Sequence, residues 1–80
     1  MARILCFAQA RDVIARGELE WPINEPHRVE DLWIWLALHH PKSTSLQSHC
    51  RVACNGEYLL KGGLIMPHDE IALIPPVSGG

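Results

Sequence analysis

Val29-Glu30-Asp31-Leu32-Trp33-Ile34-Trp35-Leu36-Ala37-Leu38-His39 is the stretch whose reading decides the fold, because it fits two different elements. As a helix, Val29, Leu32, Trp33, Leu36 and Ala37 fall at i, i+3, i+4, i+7 and i+8 and form one apolar stripe. Ile34, Trp35 and Leu38 make the other side apolar too, so periodicity alone does not choose. Length and flanks do. The run is long for a strand, Glu30 and Asp31 suit the positive end of a first helical turn, and Pro41 stops a helix after His39-His40. Residues 29–39 are therefore expected to be a helix, and the rest of the chain is arranged around it.

Working outward, the pattern changes to strands. Arg3-Ile4-Leu5-Cys6-Phe7-Ala8 reads as an N-terminal strand, ended by polar Gln9 to Arg11. Residues 18–23 alternate polar and apolar, as a half-buried strand does, and Pro22 demotes that strand toward a sheet edge or a strand end. Arg16-Gly17 is read as the turn that joins these two strands in a hairpin. Beyond the helix, Lys42 to Ser48 is polar and serine-rich, a surface loop. Arg51 to Cys54 and Glu57 to Leu60 flank Asn55-Gly56, the dipeptide best suited to a two-residue type I′ hairpin. Gly62-Gly63 interrupts the chain, and Pro67-His68-Asp69-Glu70 is a turn into the last strand, Ile71 to Ile74. This order predicts an α+β fold of β-grasp (ubiquitin-like) type, a mixed sheet of about five strands packed on one main helix. The first and last strands would be neighbours at the sheet centre. Residues 1–76 would form the domain and 77–80 a flexible, extended Gly-Gly tail.

Composition narrows the function classes. Eighty residues make one small domain, which buries only roughly 60–65 % of its unfolded surface and leaves stability modest or dependent on a partner. A hydrophobic content of 48 % argues against disorder, and a net charge of -2 with seven scattered Lys and Arg gives no footprint for nucleic acid or an anionic membrane. The longest apolar run, Leu32 to Leu38, is too short to span a bilayer. Three cysteines without an export signal point to reduced thiols and a cytoplasmic protein.

The last strand leads into Pro75-Pro76-Val77-Ser78-Gly79-Gly80. Two prolines remove two backbone donors and fix φ, so a strand ends there and the tail leaves as a semi-rigid extension. Gly79 and Gly80 carry no Cβ and can enter a channel too narrow for other residues. Val77 to Gly80 reaches at most ~13 Å. The stretch from Pro67 to Gly80, with its Ile-Pro-Pro-Val-Ser-Gly-Gly ending, resembles the small subunits of molybdopterin synthase, the MoaD-type sulfur carriers. Ile4 to Arg11 is similar to that family's first strand and its continuation, and Val29-Glu30-Asp31-Leu32 to the start of its helix. Two places depart from it. His68 stands where the family usually has Gly, and Arg28 where a Thr-like helix cap is usual.

The resemblance implies a chemistry. A carboxylate is a poor electrophile and must become a mixed anhydride before it accepts sulfur. The sequence has no P-loop and no dinucleotide fingerprint, so a partner must supply ATP. By resemblance, an E1-like adenylating enzyme activates Gly80 and a persulfide sulfurtransferase converts it to a thiocarboxylate. The large subunit of molybdopterin synthase then uses that sulfur to turn the cyclic pyranopterin precursor into the molybdopterin dithiolene. The assembly implied is a heterotetramer of two small and two large subunits, with no tightly bound cofactor in this chain and no catalysis by it alone. Gly80 would carry the reacting group. Phe7, Arg11, Tyr58, Ile74, Pro75, Pro76, Val77, Ser78 and Gly79 would meet the partner. Rival readings are a sulfur carrier for thiamine or tRNA thiolation, against which the Pro-Pro-Val-Ser-Gly-Gly ending argues, a ubiquitin-like modifier joined to lysines through Gly80, and a non-catalytic module with an inert tail.

Other residues have plainer readings. Cys50 and Cys54 lack C-x-x-C spacing and share a strand side with Val52, which reads as packing rather than a metal site, and no metal ligands are assigned. His27 and His68 are read as surface turn residues. Arg11 is either a partner for a carboxylate or simply solvated. Trp33 is assigned to the core, whereas Trp35 with Ile34 and Leu38 is either a second interaction surface or covered.

Overall fold

Residues 29–39 are helical, and both ends show why. The Asp31 carboxylate accepts a hydrogen bond from the Arg28 backbone N–H at 3.0 Å, so the third helical residue satisfies the capping position even though Arg28 has no acceptor to offer in return. At the other end the His40 N–H bonds to the Leu36 carbonyl, and Pro41 follows. The computed structural model describes residues 1–76, and the notional tail 77–80 lies outside them. Its elements are β1 (Ala2–Cys6), α1 (Ala8–Ile14), β2 (Glu18–Trp21), β3 (His27–Arg28), α2 (Val29–His39), a 3-10 turn (Pro41–Ser45), β4 (Arg51–Cys54), β5 (Glu57–Tyr58), β6 (Leu64–Ile65) and β7 (Glu70–Ile74).

The main sheet has the order β2-β1-β7-β4-β5. β1 and β7 run parallel at its centre, with Ile4 opposite Ile71 and Cys6 opposite Leu73, while β2, β4 and β5 are added antiparallel. This is the expected β-grasp fold. Strand alternation sends Ile4, Cys6, Ile71, Leu73 and Val52 to one face, where α2 covers them with Val29, Leu32, Trp33 and Leu36. Ile4, Leu32, Leu36, Ile71 and Leu73 are completely buried, each worth roughly 1.5–3 kcal/mol in transfer free energy. Asn55 and Gly56 both take positive φ, 50° and 87°, as the type I′ turn between β4 and β5 demands. β2 lies at the sheet edge, where Pro22 after it removes no ladder bond.

Two expectations need correction. Arg16-Gly17 does not close a hairpin: β1 and β2 do pair, but a short second helix, α1, lies between them, beside the one main helix α2. Residues 42–48 are not a plain surface loop, because the 3-10 turn buries Ser43 and the next residue, Leu46. β3 and β6 form a separate two-stranded ribbon. His68 is not among the residues with positive φ, so the family's Gly position imposes no backbone penalty here.

Candidate partner-binding face and tail exit

The face of the sheet turned away from α2 has no element over it among the described residues. Its register can be followed row by row. Leu5 stands opposite Ala72, Ala72 opposite Ala53, and Ala53 opposite Tyr58, giving an apolar row across four strands. One pleat nearer the end of β7, Ile74 stands opposite Arg51. Phe7 follows Cys6, whose partner is Leu73, and its extended backbone (φ -120°, ψ 154°) carries the alternation on, so Phe7 continues this row. Phe7 and Tyr58 are half or more exposed, at 50 % and 58 %. Large apolar side chains are thus gathered at one end of the open sheet face.

At the far end of that face the side chains are charged and paired. Arg3 bonds Glu18 at 2.8 Å and Glu70 at 3.4 Å. The hydrogen bond and charge of Arg3 hold the Glu18 carboxyl below its usual range, and Glu18 in turn raises the Arg3 guanidinium. These groups are well exposed, so their pairing shapes the surface more than it stabilises the fold.

The expected partner residues divide into three groups. Phe7, Ile74 and Tyr58 do share the open face. Pro75 and Pro76 leave β7 beside it, lining with Ile74, Tyr58, His49 and Arg51 a hollow of about 180 Å³. Arg11 lies one helical turn beyond Phe7, but its guanidinium is directed over Gly17: a Cβ there would be 3.8 Å from Nε. It belongs to the α1–β2 turn and not to the row of Phe7 and Ile74. Val77, Ser78, Gly79 and Gly80 lie outside the described residues. Reading by residue type alone missed Leu5, Ala72 and Ala53, which fill the face between Phe7 and Tyr58. Alternation along β1 and β7 was the signal that marks them.

Residues 4–80 match the ThiS family. The chain belongs to it. Among its relatives is the molybdopterin synthase sulfur carrier subunit of Chlamydomonas reinhardtii, 34 % identical, with 98 % of this chain and 96 % of the relative aligned. The protein of the same name from Arabidopsis thaliana is 30 % identical over 98 % of this chain and 81 % of the relative. The crystal structure of SAMP1, small archaeal modifier protein 1, from Haloferax volcanii superimposes with a TM-score of 0.86 at 29 % identity, covering 99 % of this chain and 98 % of that one. In this member of the family α2 covers one sheet face, and Pro75 and Pro76 follow β7 beside the other.

The cysteines do not form a site. Cys6 is buried in the core, and burial alone pushes its thiol pKa up. Cys54 is pushed up to about 12, by burial first and then by the hydrogen bond it donates to Asp69 at 3.2 Å. Among the described residues, no three His, Cys, Asp or Glu side chains gather as a metal site would need. No helix among them is long and apolar enough to cross a membrane.

Proposed function

We propose that this chain is the sulfur carrier subunit of molybdopterin synthase and that Gly80, the last residue of the sequence, carries the sulfur as a thiocarboxylate. The observation that supports this most is the near full-length likeness to relatives of that name, on a chain whose sequence ends Ile-Pro-Pro-Val-Ser-Gly-Gly. The open sheet face beside Pro75 and Pro76 gives a partner something to hold while the tail reaches into it.

The chemistry assigns each step to a protein able to perform it. An E1-like enzyme joins the Gly80 carboxylate to AMP and releases pyrophosphate, so ATP is that enzyme's substrate and not a cofactor of this chain. The terminal sulfur of a sulfurtransferase persulfide attacks the activated acyl group and expels AMP. A second thiol of that enzyme then cleaves the resulting acyl disulfide, which leaves the thiocarboxylate on Gly80 and a disulfide on the enzyme. The thiocarboxylate is ionised at neutral pH, is more polarisable than a carboxylate, and acts as the nucleophile on the pyranopterin precursor inside the large subunit. Two such transfers make the dithiolene, which suits an assembly of two small and two large subunits in the cytoplasm. Ordering the tail on entry costs roughly 1–2 kcal/mol per residue, a cost that Pro75 and Pro76 reduce by limiting the free states.

Reconstitution tests the proposal. Thiocarboxylated chain, large subunit and precursor together are expected to yield molybdopterin, and deletion of Gly80 is expected to abolish the product without lowering the melting temperature. Product formed at the wild-type rate without Gly80 would refute it. The likeness to a small archaeal modifier protein favours one second reading, conjugation to lysines through Gly80. Intact mass spectrometry of protein from cells separates the two, since a carrier gains the mass of sulfur in exchange for oxygen and a modifier appears in high-mass conjugates.

A further inference from the structure

The open face is electrically uneven. At one end Arg3 is matched by Glu18 and Glu70. At the other, beside the tail exit, stands Arg51, opposite Ile74, and among the described residues it has no carboxylate within ion-pair distance. The register separates Arg51 from the Glu70 row by four residues of β7, ~13 Å along the strand. That exceeds the screening length of ~8 Å at physiological salt, so the acidic end does not compensate it. The Arg51 guanidinium lies 5.3 Å from the centre of the Tyr58 ring. Contact with an aromatic ring restrains a guanidinium while its N–H groups remain able to bond in the guanidinium's own plane, the geometry that grips a carboxylate with two parallel hydrogen bonds.

We propose that Arg51, braced on Tyr58, is a partner-binding residue that receives a carboxylate side chain of the synthase large subunit where the tail passes into it. This deepens the function proposed above and rests on it. A protein carboxylate suits the surroundings better than a nucleotide does. Two hollows border Arg51. One of about 510 Å³ runs toward Leu59 and Lys61 and includes the Glu30 carboxylate, which disfavours an anionic nucleotide. The one beside Pro75 and Pro76 holds about 180 Å³, below the ~300 Å³ at which small-molecule pockets begin. Its other lining residues, Ile74, Tyr58, Pro75 and Pro76, are largely apolar, and His49 alone adds a ring nitrogen, too little to cradle phosphates. When the apolar rows close against the partner, water leaves and the pair becomes a desolvated, charge-assisted contact.

Titration calorimetry with the purified large subunit, at low and at physiological salt, tests this. The variant Arg51→Gln is expected to weaken binding ~10-fold or more and to flatten its salt dependence, with Arg51→Lys recovering only part of the loss. Its melting temperature and the rate of sulfur transfer at saturating large subunit are expected to match wild type. Binding within twofold of wild type would overturn the inference, as would a large fall in melting temperature, which would make Arg51 structural. Normal binding with slowed pyrophosphate exchange on the adenylating enzyme would overturn it by moving the contact to that enzyme. If wild-type chain itself neither binds nor serves the large subunit, the functional proposal fails, and this inference with it. If wild type binds and transfers sulfur while Arg51→Gln does so equally well, only the inference fails.

Discussion

Asp69 holds together the corner from which β7 starts. Its carboxylate accepts the Met66 N–H at 2.8 Å, the Asn55 side-chain N–H at 2.9 Å and the Cys54 thiol at 3.2 Å. Partial burial pushes its pKa up, but those donors outweigh burial and hold it below the usual carboxylate value. The folded value therefore lies under the unfolded one near 4, so the contribution is complete above about pH 4 and is lost as pH falls through the folded value. Asp69→Asn is expected to lose about 1–2 kcal/mol at pH 7 and much less at pH 2–3, because acid disarms the wild-type contact as well. Urea titrations at the two pH values check this, and an equal loss at both would count against it. Cys54 is the counterpart on the alkaline side. Its thiol is held up to about 12 in the fold, against ~8.5 in an unfolded chain. Stability from that bond is present below pH ~8.5 and declines as pH rises toward 12. Neutral alkylation should consequently label Cys54 far more slowly than the unfolded chain, a difference peptide mapping will read. The sequence identified Pro67 to Glu70 as a turn but gave no hint of this hub, since Asn55 and Cys54 approach only when the β4–β5 hairpin docks on β7.

At the scale of elements, legibility followed length and redundancy. Residues 29–39 were readable because spacing, acidic start and proline stop agreed. Residues 8–14 were not, because polar Gln9 and Arg11 looked like the end of a strand and the helix is only seven residues long with no side-chain cap. Ala10, Val13 and Ile14 do fall at i, i+3 and i+4, and Ala10 and Ile14 are buried, so the signal existed but was brief. The 3-10 turn was hidden by composition: its Thr44 and Ser45 hydroxyls bond the local Pro41 and Lys42 carbonyls, while Ser43 points inward. The Ser43 hydroxyl is fully buried and, among the described residues, has no hydrogen-bond partner. Ser43→Ala is thus expected to raise stability by about 1 kcal/mol, seen as a higher melting temperature; a lower one would mean the hydroxyl has a partner in solution. Gly63 works in the opposite direction. A Cβ there would sit 2.6 Å from Leu59 Cγ and Cδ1 and 2.9 Å from the Leu60 carbonyl oxygen, which is backbone and cannot swing away. The Gly63 carbonyl also receives the Val29 N–H, so moving it loosens the start of α2. Gly63→Ala is expected to cost about 1–3 kcal/mol, read as a drop of roughly 5–20 °C in melting temperature for a domain of this size.

For the whole molecule, the two faces of one sheet are built differently, and β7 contributes to both. Ile71 and Leu73 point to α2 and are completely buried; Ala72 and Ile74 point the other way and are partly open. The alternation was legible in the sequence, whereas the face that unites Phe7, Ile74 and Tyr58 across two rows needed the strand order, because those residues lie on three different strands or their ends. This separation permits a clean dissection of folding from binding. Ile74→Arg places a long charged side chain on the open face, where its head can reach water, so the melting temperature should change by only a few degrees. The same charge would be buried against an apolar partner surface without a counter-ion, a penalty of several kcal/mol, and binding to the large subunit should fall by ~100-fold or more. Leu73→Ala, one residue away, should do the reverse, losing about 2–5 kcal/mol of fold stability while removing no atom from the open face. Calorimetric binding and thermal melts on the two variants decide the matter together. If Ile74→Arg binds normally and remains folded, the partner does not use this face, and the tail must be delivered from the other side of the sheet.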